Sequence, residues 1–273
     1  MRTYLILSLF VWGFMACQAD TSSSNTSETE QTAITKNTHL TDSIVQSYQQ
    51  QLTTREEVFP LNCNPEAGKI NPADGAPKDT LFFLFREQLK TIVANKDIFA
   101  LLPFVSENIK TGFGAEGGLQ DFIRMWELDS PDKIPNSTLW PTLESLLALG
   151  GQFHNYDKAP YFEAPYLGPC WPHTAEPYEF GAVIGAGVRL RSSPGLSTKI
   201  IKTLSYDLVE YLETTPTQET IGGETHPWIK VRLADGMEGF LYGKFYRSPL
   251  DFRAGFQKNE AGQWQMVLLV AGD

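Results

Sequence analysis

The chain is short of cysteine, histidine and positive charge. Three Cys in 273 residues are too few for a disulfide-built scaffold. Lys and Arg total 22 against 32 Asp and Glu, a formal net charge of −10. A nucleic-acid binder carries a basic patch, so this balance argues against nucleic acid as a partner. The histidines are His39, His154, His173 and His226. Cys170 and His173 have half-site spacing, but no matching pair occurs elsewhere, and structural zinc needs four ligands. Neither a metal nor a cofactor is expected. No apolar run long enough to span a bilayer follows the N-terminal one. Hydrophobic residues nevertheless make up 42% of the chain, which excludes a wholly disordered protein.

The N-terminus reads as an address. Arg2 precedes an apolar run from Leu5 to Met15, then Ala16 and Cys17. A charge, an apolar stretch and a small residue before a cut form the secretory pattern. The stretch Gly13-Phe14-Met15-Ala16-Cys17 resembles a bacterial lipobox. That resemblance implies a signal peptide over 1–16 and makes Cys17 the lipid-bearing first mature residue. Between Asp20 and Thr41, 11 of 22 residues are Ser or Thr. Such a segment buries too little to offset its ordering entropy, so residues 17–58 are expected to form a flexible tether. Cys63 and Cys170 remain as an even pair in an exported chain. The sequence leaves open a disulfide between them or two separate buried thiols.

Residues 59–152 are expected to form a mainly helical domain. Leu81, Leu84, Phe85, Leu89, Ile92 and Val93 recur at helical spacing, with Asp79 or Thr80 as the cap. Leu119, Phe122, Ile123 and Trp126 make another stripe, and Leu139, Leu143, Leu146 and Leu147 a further one. Gly112-Phe113-Gly114-Ala115-Glu116-Gly117 matches Gly-x-Gly-x-x-Gly. The dinucleotide fingerprint needs a strand before it, and Asn108 to Thr111 is a poor one, so the run reads as a turn. Five prolines between Pro160 and Pro177 make 153–178 an irregular, aromatic-rich connector.

Short alternating runs then predict strands: Val188 to Arg191, Ile229 to Leu233, and Gly239 to Tyr242 across the Ala234-Asp235-Gly236 turn. Leu190-Arg191-Ser192-Ser193-Pro194, Trp228-Ile229-Lys230-Val231, Asp235-Gly236 and Gly239-Phe240-Leu241 together resemble the bacterial SH3 (SH3b) domain. The resemblance covers about sixty residues, Val188 to Tyr246, and implies a small β-barrel over 179–247. Residues Thr214 to Thr225 are an insert that lengthens a loop. Phe252, Ala254 and Phe256, then Trp264, Met266, Leu268 and Val270, alternate and predict a terminal β-hairpin over 248–273. The expected class is α+β: a helical N-terminal domain, an SH3-like barrel and a C-terminal hairpin. The mature chain resembles bacterial SH3-domain lipoproteins with a helical N-terminal half.

That resemblance implies a non-catalytic binding module of the cell envelope, held by its lipid, and Gln18 after Cys17, where Asp is associated with inner-membrane retention, points to the outer membrane. Its partners would be the membrane and peptidoglycan or an envelope protein. Trp228, Tyr242 and Tyr246 are candidate groove walls, and Arg191 or Lys230 would take a carboxylate. By alternation, Trp228 should point away from the barrel interior. Groove exposure and cover by a neighbouring segment are the two readings of it. The alternatives are a structural or inhibitory subunit of an envelope complex, or an envelope hydrolase. For the hydrolase, the adjacent pair Glu56-Glu57 and the scattered histidines supply no acid–base constellation.

Overall fold

A computed structural model describes residue 63 and residues 68–114, 117–156 and 159–272. The signal peptide, Cys17 and the tether lie outside the described residues. Two sheets organise the rest. The first has five strands: β1 (Val105–Lys110), β2 (Gln152–Tyr156), β3 (Ala159–Ala164), β11 (Arg253–Lys258) and β12 (Trp264–Val270). Their order is β1-β12-β11-β3-β2, with β1 and β12 parallel and the other neighbours antiparallel. Helices α1 (Thr80–Asn95), α2 (Ile98–Leu101), α3 (Leu119–Met125) and α4 (Leu139–Ala148) share one core with this sheet.

The helices start where the sequence predicts. The Asp79 carboxylate accepts from the Phe82 N–H and caps α1, and Asp97 does the same for α2 through Ala100 N–H. Phe82, fully buried on α1, is the hub of the core. Its ring meets Phe153 of β2, Phe162 of β3, Phe256 of β11 and Trp264 of β12 at 4.2–5.6 Å.

Three local expectations change. Residues 105–110 do form a strand, because Ile109 is buried in the helix–sheet core while Glu107 and Lys110 stay exposed. A strand and a seven-residue helix therefore flank the Gly-rich turn. The parallel neighbour is β12, from the far end of the chain, so this is not the strand–helix–strand unit of a dinucleotide site. Residues 153–156 and 159–164, expected to be irregular, lie in the β2–β3 hairpin. Pro160 lies at its start, outside the rungs that β3 shares with β11, and Pro165 follows its last residue. Prolines at those places cost few ladder bonds. The terminal hairpin is not an appendage of the β-rich region. β11 and β12 are inserted between β1 and β3, the middle of the first sheet.

The second sheet is a curled half-barrel of seven strands: β4 (Phe180–Val183), β5 (Val188–Arg191), β6 (Ile200–Leu204), β7 (Leu208–Ile221), β8 (Glu224–Arg232), β9 (Glu238–Tyr242) and β10 (Tyr246–Arg247). They run in the order β10-β4-β7-β8-β9-β5-β6. Val183, Val188, Leu190, Leu204, Val209, Ile229, Val231 and Leu241 fill its interior. The insert expected to lengthen a loop instead extends β7 and β8 as a two-stranded ribbon. It closes at Gly222 and Gly223, both at positive φ (64° and 88°), as a two-residue hairpin turn requires.

A third apolar cluster joins Ile70, Tyr166, Leu167, Cys170 and Ala182, with Cys63 packed against it. The Cys63 and Cys170 sulfurs are 2.13 Å apart, at disulfide distance.

Candidate ligand-binding face

Alternation sorts β8 cleanly. Ile229 and Val231 enter the half-barrel core, so Trp228, Lys230 and Arg232 lie on the outer face. Ladder register then aligns them with β9 and β5. Trp228 stands opposite Tyr242, Lys230 opposite Phe240, and Arg232 opposite Glu238; Arg191 stands on the other side of Phe240. The outer face thus has an aromatic end, a middle row of cation, ring and cation, and a charged end. At the charged end Lys230 Nζ lies 2.9 Å from Glu238, and Arg232 bridges Glu238 at 2.9 Å and Glu210 at 2.7 Å. Lys230, and then Arg232, hold the Glu238 carboxyl below its usual range, and Glu238, with Glu210, raises the Arg232 guanidinium.

The aromatic end is closed rather than open. Trp228 is 1% exposed and Tyr242 4%. Trp228 does point away from the interior cluster, yet it is covered. Opposite it on β7 the ladder skips from Thr214 to Gln218, and the three skipped residues include buried Thr215. The terminal hairpin, one expected source of cover, belongs to the other sheet. The indole ring meets the Tyr242 ring edge-on at 5.9 Å, and its N–H has no acceptor among the described residues. The Tyr242 hydroxyl donates to the Glu224 carbonyl at 2.6 Å and lies 3.1 Å from that of Glu219. Glu224 in turn accepts from Lys244 at 2.6 Å and faces His226 at 3.2 Å. Lys244 foremost, and then His226, lower the Glu224 carboxyl below its ordinary value. The Leu196 N–H reaches Glu219 Oε2 at 3.4 Å. The ribbon is therefore pinned close to its turn, through Glu224 and Glu219, to Tyr242 and Lys244 and to the loop after β5.

The remaining candidates separate. Tyr246 stands opposite Val183 and packs against the inner core, its ring filling the space above Gly181, where a Cβ would come within 2.3 Å of it. Burial pushes its hydroxyl strongly upward. It does not share a face with Trp228. Arg191 is 6% exposed, and its Nη1 donates to the Thr198 carbonyl at 2.6 Å. Sequence reasoning missed Phe240, His226 and Phe245. His226 and Phe245 contact the Tyr242 ring at 5.3 and 6.3 Å. Phe240 was legible as the outward neighbour of Leu241; the other two become visible only once register is known.

No group of three or more His, Cys, Asp or Glu side chains capable of holding a metal occurs among the described residues. Away from the half-barrel, His154 Nε2 lies 3.1 Å from Glu163 beside an open cleft of about 350 Å³ lined by Lys78, Asp79, Phe153, His154 and Pro160. No Ser, Thr or Cys lines that cleft. No family model, curated protein or solved structure matches the chain.

Proposed function

We propose that this is an exported, lipid-anchored protein of the cell envelope whose half-barrel, read as an SH3b-like module, binds a cell-wall or protein ligand without catalysing a reaction. The observation that carries the binding reading is the outer face of β5, β9 and β8. There a half-exposed aromatic ring, Phe240, lies between two cations and beside an aromatic pair, walled by the ribbon and the loop after β5. Rings that supply contact area next to a few oriented polar groups are what peptide and glycan recognition uses. The bonded pair Cys63–Cys170 supports export, since disulfides persist in oxidising compartments. Cys17 after the apolar run supports the anchor.

Two measurements test this. Cys17→Ser is expected to move the protein from the membrane to the soluble fraction with its fold intact. Wild-type protein found soluble, with an unmodified N-terminus, ends the anchor reading. Purified sacculi are expected to retain the soluble form. Co-purification of an envelope protein without retention assigns the face to a protein ligand, and neither result removes the binding reading.

A further inference from the structure

Of the two cations flanking Phe240, one is already spoken for. Lys230 is paired with Glu238, which also serves Arg232. Asp235 is paired with Lys202, and Glu224 with Lys244. Arg191 has no carboxylate within ion-pairing distance among the described residues, although the chain carries ten more acidic than basic side chains. A cation so largely buried is costly unless its charge is met. One guanidinium nitrogen is tied to the Thr198 carbonyl. Among the described residues the other nitrogens have no hydrogen-bond partner, and they are not among the fully buried unpartnered side-chain atoms, which lie on Trp126, Gln152, Trp228 and Trp264.

The surroundings hold this group still. Ser192 N–H donates to Lys199 O at 2.9 Å, and Thr198 Oγ1 lies 2.7 Å from Ser193 O. The loop between them is a closed turn that fixes the Thr198 carbonyl and, through it, the plane of the guanidinium. Ser192 and Ser193 are exposed beside it, and Arg189 and Lys199, also exposed, add positive charge on the same hairpin. A guanidinium whose remaining N–H groups have no partner among the described residues matches a planar carboxylate through two parallel hydrogen bonds. Phe240, opposite Arg191 in the ladder, offers apolar contact to the residue that bears that carboxylate.

We propose that Arg191 is the anchor for the free carboxylate of a peptide chain, which enters beside Phe240 between the loop after β5 and the ribbon. This deepens the binding reading above and rests on it. The probes are acetyl-trialanine as the free acid, the same peptide as its amide, and inorganic phosphate, each titrated into the soluble protein while the Arg191 side-chain Nε–H resonance is followed by NMR. The acid is expected to shift that resonance, and the amide to bind roughly tenfold to a hundredfold more weakly, the loss a charge-assisted hydrogen-bond pair carries. Equal response to acid and amide, or none to either, overturns the proposal. A response to phosphate alone overturns it in favour of a phosphate site. Arg191→Lys keeps the charge but not the fork. With the melting temperature held, it should lose the acid response, and a lysine variant that binds the acid as well as wild type also overturns the proposal. The titration does not use sacculi. Retention on sacculi without an Arg191 response sinks this inference alone, and the converse sinks only the cell-wall reading.

Discussion

At the scale of single residues, burial decides what each side chain is for. Trp228 has the position of a groove residue and the exposure of a core residue. Trp228→Ala is expected to cost roughly 3–5 kcal/mol, as large core truncations do, and to lower the melting temperature sharply. Trp228→Phe should cost much less, because the indole N–H bonds nothing that the substitution would orphan. A melting temperature unchanged by Trp228→Ala would restore it as an open binding surface. Tyr166 gives a pH prediction with a definite sign. It is fully buried, donates to the Ile70 carbonyl at 3.3 Å, and burial, assisted by Tyr206, pushes its hydroxyl up to about 12. An unfolded tyrosine ionises near 10. The folded state therefore keeps a proton that the unfolded chain gives up. The stabilisation is complete below about pH 10 and is lost as pH rises through about 12, up to about 3 kcal/mol across that window. Tyr166→Phe should flatten this part of the stability curve, measured by urea melts at stepped alkaline pH. An equal slope in the variant assigns the loss to other groups.

At the scale of elements, the ribbon shows how polar pins hold a segment with no core of its own. Its outer rungs, from Gln218 to Thr225, place no residue in an apolar cluster. Tyr242→Phe removes the hydroxyl that holds the Glu224 carbonyl, a loss of roughly 0.5–1.5 kcal/mol. Amide exchange in residues 218–226 should accelerate while protection in Val188–Leu190 and Ile229–Val231 holds; exchange that rises equally everywhere would mean the ribbon is part of the core. The same contrast explains what was legible from the sequence. Helices and outer-face alternation follow from local period, so α1, its Asp79 cap and the inward set Ile229 and Val231 could be read directly. Strand β1 could not, because Ser106, Glu107 and Asn108 look like a loop until β12 arrives from the other end of the chain. Nor could the β2–β3 hairpin, whose Pro160 lies outside the rungs that β3 shares with β11 and whose Pro165 follows the last residue of β3. The fate of Arg191 and Lys230 was equally hidden. It depends on which carboxylates neighbouring strands deliver, and no spacing along the chain encodes that.

At the scale of the whole molecule, the chain closes on itself. Residues 80–164 supply the helices and three strands of the first sheet, the half-barrel intervenes, and the last strands return to fill the gap between β1 and β3. Ala254, Phe256, Trp264, Met266 and Leu269 enter the helix–sheet core from that hairpin. Removing them strips apolar contacts worth at least about the whole stability margin of an ordinary domain, because each of the four large side chains contributes roughly 2–5 kcal/mol against a total of about 5–15. The half-barrel loses none of its own strands or interior residues, since β4 to β10 end at Arg247. A chain ending at Ser248 is therefore expected to lose helical circular dichroism and amide protection in 80–164, yet keep dispersed β resonances from 180–247. The complementary fragment, 179–273, keeps the hairpin but not β1 and β3, so its last 25 residues should exchange freely while the half-barrel stays protected. If instead the chain ending at Ser248 keeps protected helices, the hairpin closes a core that was already stable. If the half-barrel melts with the helices, the cluster of Ile70, Tyr166, Leu167, Cys170 and Ala182 couples the two sheets into one folding unit, and the proposed binding face cannot be separated from the helical half.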